Sequence, residues 1–258
     1  MNSIFEISTP FGWSFYVPAY ALFSNIGLFL MMMFLYFRIN RLSILFGDFL
    51  LEMIFMSIGV GIGSKTLFIL TKIPDMVKYP SLKYVIETII TSGFVFYGGL
   101  FGAMLGTILF AKYKSIDIYM LMNIIIPGFP LFHMWGRIGC FFAGCCYGKP
   151  SSWGFSLEAE PNVLRIPIQL IESFFLFIIF IVLLFLEKRK TKVSLTDVYL
   201  FMYAMTRFFL EFFRGDSIRG MWFSLSTSQW ISIAIIIILL AKTFHKNKKF
   251  VFLNQYSD

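Results

Sequence analysis

Charge is what this 258-residue chain has least of: 14% of its residues are Asp, Glu, Lys or Arg, against 58% hydrophobic. A soluble domain carries about 25% charged residues, and with the long apolar runs counted this excludes one large soluble core. Cysteine and histidine are also rare, at 3 and 2 copies. An odd number of cysteines, two of them adjacent, argues against a disulfide framework. The chain has no basic stretch interleaved with aromatics of the kind that holds single-stranded nucleic acid, so nucleic acid is not an expected partner. Its first residues, MNSIFEISTPFGWSFYVP, carry neither a basic n-region nor an A-x-A-like site, so a cleaved signal peptide is not expected. No internal repeat of fixed period is visible.

What remains is hydrocarbon. A membrane-crossing helix needs about 20 predominantly apolar residues. Seven such runs are predicted, at about 18–37, 45–70, 86–110, 116–134, 167–186, 195–213 and 228–243. The fourth is broken near Pro127, Gly128 and Pro130. The expected fold is all-α: a polytopic membrane protein of about seven transmembrane helices, forming one integral membrane domain over 1–258. Lys and Arg concentrate on the cytoplasmic side of membrane proteins. With the N-terminus outside, the inner segments hold Arg38, Arg41, Lys112, Lys114, Lys188, Arg189, Lys190, Lys192, Lys242, Lys246, Lys248 and Lys249, which is 12 of the 22 basic residues. That predicts the N-terminus outside and the C-terminus in the cytoplasm. The net charge of +8 then reads as topology and contact with anionic lipid.

One stretch differs from the rest: His133–Pro150, HMWGRIGCFFAGCCYGKP. It holds all three cysteines (Cys140, Cys145, Cys146), one histidine, and Arg137 between Gly136 and Ile138-Gly139, with Gly144 and Gly148 following. Glycine costs a helix about 1 kcal/mol per residue relative to alanine. The expectation is a glycine-rich outer loop or broken helix between the fourth and fifth spans, whose backbone approaches something closely. Irregular backbone at membrane depth survives only where protein or a water-lined cavity covers it.

Ionisable residues inside spans cost about 2.5–3.5 kcal/mol each on insertion scales, so each needs a reason. Arg207 and Glu211 are i, i+4 on one helix, with Tyr203 one turn before and Arg214 one turn after, which predicts a single stripe. Two arginines sharing one glutamate leave positive charge over, which suits a phosphate gripped by two parallel hydrogen bonds. Gln169 and Glu172 follow Pro167; Glu172 either caps and packs or orients an arginine from another helix. Asp48 and Glu52 read as structural, and Lys65 as a snorkelling side chain. Gly98-x-x-x-Gly102 and Gly102-x-x-x-Gly106 read as close helix packing, or as glycines that let a lipid approach.

Taken together, these residues resemble the prolipoprotein diacylglyceryl transferase family. Gly136-Arg137-Ile138-Gly139-x-Phe141, with Gly148 further on, is similar to the family signature G-R-x-G-N-F-x-N-x-E-x-x-G. Tyr97-Gly98-Gly99-Leu100, Pro167-x-Gln169-Leu170-x-Glu172, Tyr203-x-x-x-Arg207-x-x-x-Glu211-Phe212-Phe213-Arg214 and Ser226-x-x-Gln229 also match, and Tyr20 with Gly27 resembles the family's first-span approach. The resemblance implies a cofactor-free transferase in the bacterial cytoplasmic membrane. It would move diacylglycerol from phosphatidylglycerol to the cysteine thiol of a prolipoprotein signal peptide, or to another thiol acceptor, and release glycerol phosphate. It also implies Arg137 and Arg207 at the head group and reacting atoms, Arg214 as a third positive group, and Tyr20, Tyr203, Gly98, Gly99, Gly136, Gly139, Gly148, Gln169, Glu172 and Glu211 around the substrate.

Several positions depart from the family pattern. The family histidine before Gly-Gly is Tyr97, the signature asparagine is Cys140, and Ala143 and Cys145 replace a later asparagine and glutamate. A phenol with pKa near about 10 is a weak base at neutral pH, and His133 is the candidate replacement. C-x4-C-C is not a recognised zinc spacing, and no metal is expected, although His133 and the cysteines number four ligands. Inert packing, a redox pair on an oxidising outer face and a covalent lipid carrier stay open for the thiols. A non-catalytic lipid-binding protein on the same scaffold is the alternative to catalysis.

Overall fold

The computed structural model describes residues 4–8, 14–41, 45–78, 81, 96–189, 193–216 and 221–254. Among these the chain is mostly helical. A hairpin of β1 (Ile4–Ser8) and β2 (Ser14–Pro18) leads into α1 (Ala19–Arg41), followed by α2 (Phe46–Lys78), α3 (Phe96–Lys114) and α4 (Ile118–Ile125). A 3-10 turn, Ile126–Gly128, joins α4 to α5 (Phe129–Phe142). A second hairpin, β3 (Pro150–Leu157) and β4 (Glu160–Arg165), precedes α6 (Ile168–Lys188) and α7 (Leu195–Leu210). After the 3-10 turn Glu211–Phe213 come the two-residue strands β5 (Met221–Trp222) and β6 (Leu225–Ser226), then α8 (Thr227–Asn254). Among the described residues, four stretches are long and apolar enough to cross a membrane: Ala19–Ile39, Phe46–Leu70, Ile118–Phe142 and Ile168–Lys188; Thr227–Thr243 is shorter but apolar. Part of the third predicted span, 86–95, lies outside the described residues.

The chain forms two compact units, Met1–Leu35 with Ile125–Asp258, and Tyr36–Ile124. In the second, α2 and α3 meet along a glycine seam. A Cβ on Gly102 would overlap the Gly59 carbonyl, one on Gly63 the Gly98 carbonyl, and one on Gly106 the Phe55 carbonyl. Close helix packing therefore explains these glycines. Beside the seam lies an apolar groove of about 570 Å³, lined by residues that include Phe55, Ile62, Gly98, Phe101 and Leu105. Glu52 is buried and accepts a 2.7 Å hydrogen bond from the Thr107 hydroxyl, and Lys114 pairs with Asp48 at 2.6 Å.

The first unit corrects the reading of the glycine-rich stretch. The fourth apolar run does break at Pro127, but helix resumes and continues to Phe142, beyond the predicted end near 134. His133, Gly136, Arg137, Gly139 and Cys140 are helical, and the loop proper begins only at Ala143. Packing offsets the glycine penalty. Gly139 lies against the backbone of Tyr20, and a side chain on Gly27 would collide with Trp135. Phe23 fills the same contact, stacking on Phe142 at 4.8 Å and on Trp135 at 6.1 Å.

The helices that carry the site are ordered by their buried faces. Ile168, Gln169, Glu172, Ser173, Leu176, Ile179 and Leu183 of α6 are buried, a 3.6-residue spacing that places three polar groups, Gln169, Glu172 and Ser173, on the packed side. In α7 the buried residues are Leu195, Tyr199, Ala204, Arg207 and Leu210, and Ser194 caps the N-terminus by accepting from the Asp197 N–H at 3.3 Å.

Candidate active site

Glu172 is the centre of the first unit. Its side chain is 1% exposed, and each of its two oxygens holds an arginine. The Arg137 guanidinium of α5 lies 3.0 Å from Oε1, and that of Arg207 of α7 lies 3.4 Å from Oε2. Three consecutive helices thus converge on one carboxylate. Arg207 also pairs with Glu211 at 2.8 Å and donates to the Ser228 hydroxyl of α8 at 3.3 Å. The Tyr203 hydroxyl donates to Glu172 Oε1 at 3.3 Å, and its ring meets the His133 imidazole edge-on at 4.9 Å. A buried charge without a partner is far costlier than a paired one, so these groups stand or fall together.

The predicted stripe Tyr203–Arg207–Glu211–Arg214 reaches only as far as Glu211. Helix gives way to the 3-10 turn at Glu211–Phe213, and Arg214 is extended, with φ −77° and ψ 142°. Arg214 therefore leaves the Arg207–Glu211 pair and makes its own two-pronged contact with Asp216, at 3.2 Å from Nε and 3.1 Å from a terminal nitrogen. The expected positive surplus is reduced accordingly: Arg137, Arg207 and Arg214 face Glu172, Glu211 and Asp216. Donor capacity is another matter. A guanidinium has five N–H donors, and the buried Nε–H of Arg137 has no hydrogen-bond partner among the described residues; nor has Gln169 Oε1.

The loop 143–149 is fixed to this frame. Gln169 Nε2 donates to the Cys145 carbonyl at 2.7 Å. The Gly148 N–H donates to the Ile166 carbonyl at 3.2 Å, Lys149 N–H to that of Phe213 at 2.9 Å, and Gly215 N–H to that of Tyr147 at 3.0 Å. Gly148 and Arg214 form an isolated β-bridge, and a side chain on Gly148 would collide with Ile166. Gly136 is different: a Cβ there would meet nothing within 4 Å, so no packing contact requires glycine at that position. The Cys146 thiol is held below its ordinary value by hydrogen bonds with the Cys140 and Cys145 thiols, helped by the positive charges of Arg214 and Arg137.

The structure thus brings together Arg137, Glu172, Tyr203, His133, Arg207 and Glu211, with Gln169 and Cys145 adjoining through the loop. Tyr20 gives its backbone to Gly139, while its side chain is half exposed. Gly98 and Gly99 belong to the second unit, as does Tyr97, whose side chain lies outside the described residues. Sequence reasoning missed Asp216 and Ser228. It also missed Arg165, which lies over the Tyr147 ring at 4.6 Å and pairs with Glu160. Asp216, two residues beyond Arg214, offered a proximity signal; Ser228 offered none.

Membrane-length helices enclosing a buried network of arginines and carboxylates define a polytopic membrane protein with a polar site among its spans. The family model described as prolipoprotein diacylglyceryl transferase matches residues 7–244, and the chain belongs to that family of transferases. It is 35% identical over 188 residues to the phosphatidylglycerol–prolipoprotein diacylglyceryl transferase of Clostridium tetani, covering 70% of this chain and 74% of the relative. A Clostridium perfringens protein of the same description, numbered 2, is 38% identical over 183 residues, covering 68% and 70%. A Dehalococcoides mccartyi relative is 28% identical over 241 residues, 90% of this chain and 89% of its own length.

Proposed function

We propose that this protein transfers the diacylglyceryl group of phosphatidylglycerol to the thiol of a prolipoprotein cysteine, the two substrates that its relatives' names specify. In that reaction the sulfur attacks the glyceryl carbon bound to phosphate. The carbon–oxygen bond breaks, its electron pair goes to the departing glycerol phosphate, and the thiol proton is lost. Two demands follow: growing negative charge on the phosphate must be held, and the thiol must ionise.

Arg137, Arg207 and Arg214 are the groups we assign to the phosphate. The observation that carries this reading is the paired anchoring of Arg137 and Arg207 on buried Glu172. The carboxylate fixes both guanidiniums without using all their donors, and the Nε–H of Arg137 keeps a hydrogen bond to give. Arg214 lies close by in charge, tied to Asp216 in a contact that a phosphate could replace. Tyr203, Glu211, Gln169 and the backbone at Gly139 and Gly148 keep these groups in position. His133, Glu172 and Tyr97 are the candidates for handling the proton. We further assign seven spans from the apolar runs, an outward N-terminus from the Lys/Arg distribution, and residence in the bacterial cytoplasmic membrane from membership of the family.

The test is direct. Purified protein in detergent, given phosphatidylglycerol and a peptide with a lipoprotein-type cysteine, should release glycerol phosphate and gain a diacylglyceryl-modified peptide. No release with that peptide, under conditions where a Clostridium tetani-type relative is active, would refute the proposal.

A further inference from the structure

The three cysteines converge from two elements. Cys140 is in the last turn of α5, and Cys145 and Cys146 follow in the loop. Their sulfur atoms all lie within 4.8 Å of one another, and all three are free thiols. The clustering is built into the backbone. Cys145 N–H donates to the Cys140 carbonyl at 3.1 Å, and Gln169 holds the Cys145 carbonyl. Cys146 adopts φ +58°, a left-handed conformation unusual for a side chain with a Cβ. A non-glycine residue held there costs of order 1–3 kcal/mol and persists only where its surroundings enforce it.

We propose that Cys140, Cys145 and Cys146 form a three-thiolate site for a soft, zinc-class cation whose fourth position is open to an incoming thiol. Zinc bonds thiolate sulfur at about 2.3 Å in tetrahedral geometry, which separates the sulfurs by about 3.8 Å. A cluster already within 4.8 Å needs only small side-chain adjustment. Thiolate ligands select zinc or copper(I) over harder ions. No histidine or carboxylate joins the cluster among the described residues. The nearby carboxylates are engaged, Glu172 by Arg137 and Arg207 and Asp216 by Arg214. Three thiolates and a divalent ion carry net −1, and a fourth thiolate brings −2.

The fourth ligand is the one part that rests on the transferase reading. A cysteine thiol bound there would release its proton to solvent and be presented as thiolate. That would meet the reaction's need for an ionised thiol.

The experiment uses the full chain in detergent, purified under reducing conditions and incubated with zinc or cobalt(II). About one metal ion per chain is expected, with a thiolate-to-cobalt charge-transfer band. Cys145→Ser should lower bound metal about tenfold, by analogy with altered metal shells. If that variant fails to fold, alkylating the wild-type thiols must abolish the band instead. A cysteine-containing lipoprotein peptide should shift the cobalt spectrum, and the same peptide with serine should not. Wild type that binds no metal while its thiols remain reactive overturns the site, as does metal binding that survives alkylation. An unchanged spectrum with the cysteine peptide overturns the open position. Glycerol phosphate release, measured separately, keeps either failure distinct from failure of the transferase reading.

Discussion

Arg137 and Arg207, 70 positions apart in sequence, are held by opposite oxygens of the same buried carboxylate, Glu172, at 3.0 and 3.4 Å. The arrangement ties α5, α6 and α7 together through charge in addition to the buried apolar faces of α6 and α7. Lipid tails give apolar side chains no reason to prefer protein over membrane, so a polar clamp is an effective way to fix one helix against another.

Glu172→Gln should be the most damaging conservative change in the protein. It keeps the shape but leaves two buried guanidiniums with one fewer negative charge. Breaking a buried pair by removing one partner costs about 3–5 kcal/mol. Thermal unfolding in detergent should show a large fall in midpoint. Combining it with Arg137→Ala should recover part of the loss, because the two residues share one interaction.

Arg214 and Asp216 should behave oppositely. Arg214→Ala removes a guanidinium assigned to phosphate and should reduce turnover by about 10²–10³-fold, the range for a preorganised charge-stabilising group. Asp216→Asn releases Arg214 from its competing partner, so the KM for phosphatidylglycerol should fall or stay level while kcat changes little. A KM rise as large as that of Arg214→Ala would show that Asp216 positions Arg214 rather than competing for it.

The glycine seam makes a prediction about packing alone. Gly102→Leu places a side chain into the Gly59 backbone and should prevent α2 and α3 from packing, read as loss of folded protein on size exclusion in detergent. Gly61→Ala, at a position with nothing within 4 Å of a new Cβ, should fold as wild type, within about 0.5 kcal/mol. Equal tolerance of both changes would contradict the seam.

Much of this was legible in the sequence, and the reasons differ from place to place. Apolar runs and the Pro127–Pro130 break located helices because both signals are local. Arg207 and Glu211 were legible because i, i+4 spacing fixes a neighbour on a helix. Glu172 as an orienting carboxylate was one of two readings; only the fold shows that it serves two arginines. The extent of α5 was misjudged because glycine density argues against helix, while contacts such as Gly139 on Tyr20 and Trp135 beside Gly27, made by a distant segment, decided the matter. Arg214 was misplaced because nothing in Glu211-Phe212-Phe213 marks the end of a helix. The β3–β4 hairpin went unread as well: its strands are mostly exposed and show no clean apolar alternation, and Gly154, at φ +126° against the Arg165 carbonyl, interrupts the register.

Arg207→Lys separates charge from shape. Lysine retains the positive charge but cannot face Glu172, Glu211 and Ser228 together, because it lacks a planar fork. Activity should fall by at least about tenfold even though the charge is unchanged. Wild-type activity would mean that Arg207 acts as a point charge only.

The central claim is that two arginines fixed on one glutamate serve a single phosphate. Glycerol phosphate release from labelled phosphatidylglycerol, measured for wild type, Arg137→Ala, Arg207→Ala and the double variant, tests it most directly. Groups that act on one phosphate should be non-additive, with the double variant little slower than either single variant. Two independent losses that multiply, or an Arg137→Ala protein as fast as wild type, would contradict it.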